Sequence, residues 1–317
     1  MANTYTGTST ISNQTGITGV IKTAYDRYIE FALRSQPLLR SIADRRPVQQ
    51  AHPGTSVVFQ NYVDLSAATT ALTENVDPDS VALSDTTNVT VTLNEYGNVV
   101  LETRKLAELA LSDVDPAIAN IVAYNMADSL DQIVQTELRG GTNVRLPAGR
   151  AATANITGTD VMLGNQLRFA TTKLKGFNAI PRWGTLYAAY IHPDVTYDLK
   201  AESGSGAFED IRKYTDANVG NLLHSVAGII HGAYVVESPR MYNATDGASS
   251  ARVFRSLVVG QQALAEAVAI EPGIVIGPVT DKLMRARPVG WYGLLGWKRY
   301  RENALYRIES TSSINNA

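Results

Sequence analysis

Two segments in the first third of the chain alternate between apolar and polar side chains. In residues 55–65 the apolar positions fall on one face, and the same period of two recurs from Val89 to Leu93. This period is typical of β-strands, so the pattern predicts a β-hairpin with a long polar tip at residues 66–87. A ribbon of two strands is only marginally stable alone. Because no other part of the sequence obviously offers it a surface, we expect a neighbouring subunit to support it.

A helical period marks two other segments. After a Thr- and Ser-rich stretch at residues 1–16, apolar residues recur at helical spacing until Pro37. The strongest signal covers residues 115–139, where Asp115 is the expected N-cap and Pro116 takes the first helical position. A Gly-Gly pair then ends the helix. At about 1.5 Å per residue, this helix is a rod roughly 36 Å long.

The second half of the chain alternates between helical and strand-like segments, which predicts an α+β protein. We expect helices at residues 159–175, 194–200, 207–214 and 217–224, strands at 185–191, 229–237 and 252–259, a turn at Gly260 leading into 261–268, and a return to β-structure at 289–310. The expected parts are an N-terminal arm and helix (1–46), an extended hairpin (47–104), a first subdomain with the long helix (105–154 with 276–317), and a second, α/β subdomain (155–275).

Composition indicates a folded globular protein. The chain has 317 residues, of which 44% are hydrophobic and 18% charged, so two subdomains can each bury a core. A net charge of −2 lacks the strongly basic balance of a nucleic-acid-binding domain. The absence of cysteine excludes disulfides and thiolate metal sites. Neither a signal-peptide pattern nor an apolar run of roughly 18 residues is present, so we expect folding in a cytoplasm and no membrane partner.

Charge is strongly segregated along the chain. No Lys or Arg lies between Arg46 and Arg104, whereas seven carboxylates do. Both ends of the chain are richer in cations, so we expect the acidic hairpin to lie on a basic surface of a neighbour. An ordinary solvated face is the alternative for these acids, and cross-strand packing is the alternative for the aromatic residues of the hairpin. The candidate contacts on the hairpin are Asp64, Glu74, Asp77, Asp79, Asp85, Glu95, Phe59 and Tyr62; their candidate basic partners are Arg27, Arg34, Arg40, Arg45, Arg46, Arg285 and Arg287.

The sequence offers no convincing catalytic or metal-binding set. His192 is near Asp194, but the intervening proline favours a turn between a strand and a helix. His224 and His231 lack an adjacent carboxylate for metal binding. The loop at residues 203–206 lacks the preceding strand of a nucleophile elbow. We therefore expect no catalytic residue, no metal and no cofactor.

Several phrases of the sequence, and above all their order, resemble the major capsid proteins of tailed double-stranded DNA bacteriophages, which have the Hong Kong 97 fold. The phrases are YIHPD at 190–194, GIIHG at 228–232, SLVVG at 256–260, and VGW followed by GWK at 289–298. Each is weak alone. The resemblance covers nearly the whole chain because arm, hairpin, long helix, α/β region and final β-segment follow in the same order.

This resemblance implies a structural protein rather than an enzyme. The hairpin would be the family's E-loop, the long helix its spine, the first subdomain its peripheral domain and the second its axial domain. Copies would assemble as hexamers and pentamers into an icosahedral shell that encloses viral double-stranded DNA, located in the virion and assembled in the host cytoplasm. The implied partners are further copies, a separate scaffolding protein, a portal, possibly a decoration protein, and packaged DNA contacted non-specifically. Because the hairpin contains no lysine, a Lys–Asn cross-link from it is excluded.

Two other functions remain open from the sequence. An encapsulin, a cellular nanocompartment of the same fold, would enclose enzyme cargo instead of a genome. A cytoplasmic α/β hydrolase with the hairpin as a lid is the alternative from another class, but the sequence supplies no credible nucleophile, base and oxyanion set.

Overall fold

A computed structural model describes residues 34–47, 54–62, 64–75, 77–83, 87–105, 114–202, 226–278, 283 and 285–314. The helices are α1 (Val114–Arg139), α2 (Gly164–Gly176) and α3 (Pro193–Ala201). The strands are β1 (Asp44–Pro47), β2 (Ser56–Asn61), β3 (Thr87–Thr92), β4 (Asn94–Thr103), β5 (Val144–Arg145), β6 (Tyr187–Ile191), β7 (Val226–Ile230), β8 (Ala233–Glu237), β9 (Asn243–Ala244), β10 (Val253–Val259), β11 (Leu264–Ile276), β12 (Ala286–Arg299) and β13 (Leu305–Ser310).

Helix α1 confirms the long helix predicted at residues 115–139. It begins one residue earlier than expected and buries Val122, Leu130, Val134 and Leu138 along one stripe. Ile121, by contrast, is 49% exposed. Its position lies on the flank of the helix, away from the sheet that the other four contact.

Four strands form a sheet in the order β1-β11-β12-β4, with β1 parallel to β11 and the other pairs antiparallel. Helix α1 packs on one face through Val268, Trp291, Leu295 and Trp297. Two expectations are corrected here. The strand after Gly260 continues to Ile276, well beyond the expected 261–268, and β4 leaves the hairpin to become an edge of this first sheet.

A second sheet has the order β5-β13-β10-β6-β8-β7, with the short β9 paired to β10. All five residues of β6 are buried, because their side chains alternate between two cores. Ala188 and Tyr190 face the core under α1, whereas Ala189 and Ile191 face the core under α2 and α3. The predicted strand at 185–191 and the predicted short helix at 194–200 are therefore confirmed as β6 and α3.

Other boundaries differ from the sequence-based expectation. The predicted strand at 229–237 is two antiparallel strands, β7 and β8, which turn at His231 (φ 48°) and Gly232 (φ 79°). A positive φ at a histidine is uncommon, so this turn could not be predicted from its residue types. The helix expected at 159–175 begins at Gly164. The N-terminal helix and the helices expected at 207–214 and 217–224 lie outside the described residues.

The two sheets do not follow the expected subdomain boundaries. Strand β13 was expected with the long helix in the first subdomain, but it lies between β5 and β10 in the second sheet. Strand β11 was expected almost entirely in the second subdomain, but it pairs with β12 in the first sheet. Pairing between segments far apart in the chain decided both outcomes.

Candidate intersubunit surface

The base of the hairpin rests on the same chain. Strands β2 and β3 pair antiparallel, with Phe59 opposite Val89, which confirms the predicted hairpin. Phe59, Val91 and Leu93 are buried against Ala265 and the neighbouring residues of β11. The expectation that only another subunit could support the hairpin is therefore wrong for its base. Phe59 is likewise not a surface anchor, because it is 4% exposed and lies in the chain's own core.

The tip of the hairpin, described at residues 64–75 and 77–83, is exposed at every described position. Leu72, Val81 and Leu83 are each at least 75% exposed, as is Tyr62 just before the tip. The tip also carries Asp64, Glu74, Asp77 and Asp79, none of which forms an ion pair among the described residues. Glu95 in β4 is exposed, and Asp85 lies outside the described residues.

Several of the expected basic partners are engaged within their own chain. Arg40 lies 2.8 Å from Glu266 and 3.3 Å from Glu271, and Arg45 also pairs with Glu271. Arg34 donates to the Asn120 side chain (2.8 Å). The proposal that Arg40 and Arg45 bind hairpin acids of a neighbour is thus corrected, because acids of β11 already hold them.

The remaining expected cations fall into two groups. Arg285 and Arg287 are exposed at the start of β12. Arg27 and the side chain of Arg46 lie outside the described residues. The contact of Arg285 and Arg287 with a neighbour's acidic tip therefore stays a prediction.

A buried ion pair, which the sequence did not reveal, joins three segments of the chain. Asp131 of α1 is 1% exposed; it accepts from the Leu39 backbone N–H (2.7 Å) and from Arg240 Nε (2.9 Å). Burial lowers the pKa of Arg240, but hydrogen bonds to Asp131 and Asp128 outweigh burial, so its pKa is raised overall. The pair fastens residues 34–42 to α1. Its members are far apart in the chain, so spacing gave no signal.

A second buried carboxylate lies in the other sheet. Glu309 of β13 is fully buried; Arg255 Nε donates to it (3.3 Å), and Thr153 Oγ1 donates from the other side (2.5 Å). Arg307 Nε lies 2.9 Å away, without the alignment of a hydrogen bond. Burial lowers the pKa of Arg307, because desolvation disfavours the charged guanidinium. The fully buried Glu309 carboxylate beside it balances that positive charge.

The histidines described are structural. His192 caps α3, because its Nδ1 accepts from the Asp194 backbone N–H (3.2 Å), and burial lowers its pKa. This confirms the strand-to-helix turn expected there. His231 occupies the turn between β7 and β8, whereas His224 and residues 203–206 lie outside the described residues. The described part of the chain contains no group of three or more potential metal ligands, and no helix in it is long and apolar enough to cross a membrane.

On the face opposite α1, no described segment of the chain covers one half of the first sheet. This distal half consists of residues 97–101 of β4, 270–276 of β11 and 288–292 of β12. Pairing in the sheet places Val99, Leu101, Val275 and Tyr292 on that face, and they are 36–61% exposed. Between them lies a groove of about 400 Å³, whose floor includes Gly290. The hairpin base covers the other half of the same face, so the distal half is an uncovered continuation of a core.

Comparison with known proteins identifies the family. The chain belongs to the phage capsid protein family, whose model matches residues 20–307. Capsid proteins of phages are structural components of the virion, and this is the class of protein that the match defines. No curated protein matches the sequence.

Solved capsid structures share the fold. The chain is similar to the capsid of Ralstonia phage GP4 (TM-score 0.76, 15% identity, covering 96% of this chain and 98% of that one). It is also similar to the capsid of cyanophage Pam1 (0.74, 14%, covering 96% and 100%). The similarity to the capsid of Helicobacter pylori bacteriophage KHP30 has a TM-score of 0.70 at 16% identity and covers 95% of this chain and 98% of that one. At these identities, the likeness is one of fold.

Proposed function

We propose that this protein is a major capsid protein, many copies of which assemble as hexamers and pentamers into an icosahedral shell that encloses double-stranded DNA. The observation that carries the proposal is the hairpin tip. In this chain of the phage capsid family, the tip is a long segment whose described apolar side chains are exposed. Leu72, Val81 and Leu83 are each at least 75% exposed. Exposed apolar clusters of this kind mark contact surfaces.

The hairpin would join one subunit to the next. Its base is fixed by Phe59 and Val91 in the core, so the tip projects from a firm support. The bare distal half of a neighbour's sheet offers apolar surface for Leu72 and its companions. The tip carboxylates would be drawn towards exposed cations at the start of β12, such as Arg287.

Many weak ion pairs between subunits would together stabilise the shell. Each exposed ion pair contributes roughly 0–1 kcal/mol. Such a contact alone holds little, but many of them repeated around a closed shell add through multivalency. Because salt screens exposed charges, the assembly should weaken as ionic strength rises.

In the terms of the Hong Kong 97 fold, the hairpin at residues 47–104 is the E-loop and α1 is the spine. The first sheet with α1 corresponds to the peripheral domain, and the second sheet with α2 and α3 to the axial domain. β13 then belongs with the axial core. Residues 1–46 would form the N-terminal arm.

The proposed partners extend beyond further copies of the chain. A separate scaffolding protein, a portal and possibly a decoration protein would act with it, and assembly would take place in the host cytoplasm. Basic residues of 22–46 would touch packaged DNA through phosphates, without sequence preference. The role is mechanical: the chain needs no catalytic residue and no cofactor. The phage family match favours a genome as cargo over the enzymes of an encapsulin.

Electron microscopy of the purified chain, alone and at low and high salt, tests the proposal. We expect closed shells that loosen as salt rises. Loose capsomers or tubes would still support self-assembly and would indicate that a scaffolding partner is needed. A monodisperse monomer at every salt and protein concentration would contradict it.

A further inference from the structure

Strand β11 is interrupted in the middle of the first sheet. Its pairing with β12 is regular from Leu264 to Val268 and again from Gly273 to Ile276, but the register shifts twice between these two segments. Irregularities of this kind bend a strand and increase its local twist. The interruption separates the part of the sheet that packs on the hairpin base from the distal half.

Glycine occurs in all three strands of the sheet at this one level. Gly97 of β4 and Gly273 of β11 both pair with Tyr292 of β12, and the next residue of β12 is Gly293. The other glycine of β12 in the distal half, Gly290, pairs with a valine on each side. Glycine within a strand weakens it and often marks a bend. We call the level of Gly97, Gly273 and Gly293 the crease.

The two glycines beside the interruption have different surroundings. A side chain at Gly293 would come within 2.9 Å of the Pro272 backbone, so the close approach of β11 and β12 requires glycine there. A side chain at Gly273 would meet no other described atom within 4 Å, and the φ of Gly273 is not positive. Neither packing nor a left-handed backbone therefore explains the glycine at 273. Backbone freedom in a strand that bends does explain it.

Two arginines hold the interrupted segment of β11. Glu271 lies inside this segment and pairs with Arg40 (3.3 Å) and with Arg45. Arg40 is itself anchored by Glu266 (2.8 Å), a buried carboxylate in the regular part of β11. The side chain of Glu271 is half exposed, so its ion pairs are weak. They can restrain a movement at the crease without preventing it.

Helix α1 holds the sheet firmly next to the crease and more loosely beyond it. Asn125 of α1 accepts from the Trp291 indole N–H (2.9 Å), one residue from the crease. Further out on the same face, Val100 is 41% and Ile276 57% exposed, although Val289 between them stays covered. The contact at Trp291 therefore acts as a pivot, and packing beyond it leaves room for movement.

We infer that the distal half tilts about the crease, and that the ion pairs of Glu271 with Arg40 and Arg45 limit the tilt. This inference rests on the proposed function, in which the distal half contacts neighbouring subunits. Hexamers and pentamers bring their subunits together at different angles, although every copy has the same sequence. A tilt at the crease gives one contact surface the different orientations that these two assemblies need.

Spin labels measure the tilt directly, because the chain has no cysteine of its own. The test pair joins Thr136→Cys on α1 to Leu101→Cys in the distal half, and the control pair joins Thr136→Cys to Thr172→Cys on α2. All three positions are exposed. In the unassembled chain, the distance distribution of the test pair should be about twofold wider than that of the control pair, as expected for a hinge.

Two substitutions should change the tilt in opposite directions. Gly273→Val adds a β-branched side chain where there is space for it, so it should narrow the distribution of the test pair to that of the control pair. Glu271→Ala removes the restraining ion pairs and should widen the distribution further. The matched control is Glu95→Ala, which removes another exposed carboxylate of the same sheet and should leave the width unchanged.

Electron microscopy of the same variants connects the tilt to assembly, and Gly273→Val should form fewer closed shells, with tubes or open sheets in their place. A wide distribution that Gly273→Val narrows and Glu271→Ala widens supports the crease. Equal widths for the two label pairs, or a width that neither substitution changes, overturn it. Normal closed shells from a narrowed Gly273→Val chain overturn the role of the tilt and leave the shell function intact. A tilt in a chain that never assembles would support the crease and count against the shell function.

Discussion

The two sheets of this protein use similar apolar residues in different ways. In the second sheet, β6 is buried on both faces and Phe254 of β10 is 1% exposed. In the first sheet, α1 packs on one face and the hairpin base covers half of the other, but on the distal half of that second face Val99 is 61% and Tyr292 36% exposed. The second sheet therefore contributes a core that is buried on both faces, whereas the distal half of the first sheet is the surface that we propose for contacts between subunits. Four predictions, ordered by their expected effect on the free energy of unfolding, test this contrast.

The largest loss is expected in the second sheet. Phe254→Ala should lower the free energy of unfolding of the unassembled chain by about 3–5 kcal/mol, because it leaves a cavity between β10 and the helices. Urea denaturation measures the loss. Tyr292→Ala in the distal half is the matched control and should change stability by about 0.5 kcal/mol at most. Equal losses from the two variants would remove the distinction between the sheets.

The buried ion pair gives a smaller effect at the boundary between the regions. Asp131→Asn can still accept from Leu39 but leaves Arg240 without its innermost charge, so we expect a loss of about 1–3 kcal/mol. Hydrogen exchange at the Leu39 amide should accelerate with it. Asp128→Asn changes a more exposed carboxylate and should cost less. If the Asp128 variant released residues 34–42 faster, the assignment of this anchor to Asp131 would be wrong.

The His192 cap should produce a pH dependence within the second sheet. Burial holds the pKa of folded His192 below its ordinary value near 6.5. The folded chain therefore binds this proton less readily than the unfolded chain. Stability from this group is present above about pH 6.5 and declines as pH falls towards the folded pKa.

A variant without the titrating group isolates the contribution of His192. His192→Asn keeps an acceptor for the Asp194 N–H but cannot take up the proton. The test compares urea midpoints of the two proteins between pH 7 and 5. The variant should lose less stability over this interval than the native chain. Parallel curves would exclude His192 as the source.

The smallest change in stability should come from the hairpin tip, together with the clearest effect on assembly. The triple variant Leu72→Ser/Val81→Ser/Leu83→Ser changes side chains that are each at least 75% exposed, so each change should alter subunit stability by about 0.5 kcal/mol at most. Shells should nevertheless fail to form by electron microscopy. A control with Asp77→Asn/Asp79→Asn should still form shells but with less dependence on salt. Normal shells from the triple variant would exclude the tip as an assembly contact.

The sequence predicted elements better than their partners. A period of two identified β2 and β3, and the helical apolar period with the glycine pair after it identified α1, because these signals depend on near neighbours in the chain. The period also showed which face of the hairpin is apolar. It could not show that Ala265 and Ala267, some two hundred residues later, would cover that face.

For charged residues, too, the sequence predicted positions better than partners. The concentration of acids in the hairpin is a property of the sequence. In the structure, the described tip residues that carry these acids are all exposed. The role of Arg40 was misjudged, because its partners Glu266 and Glu271 come from the far end of the chain. The Asp131–Arg240 pair was missed for the same reason. A cation can be assigned to a neighbouring subunit only after the acids that reach it within its own chain are known.

The position of β13 has a consequence for the order of events in the cell. This strand lies between β5 and β10, although it is the last strand of that sheet to leave the ribosome. Until it arrives, the edge of β10 has no partner on that side, and the carboxylate of Glu309 is not there to balance Arg255. A nascent chain therefore cannot complete the second sheet, or balance the charge of Arg255, before β13 has been synthesised.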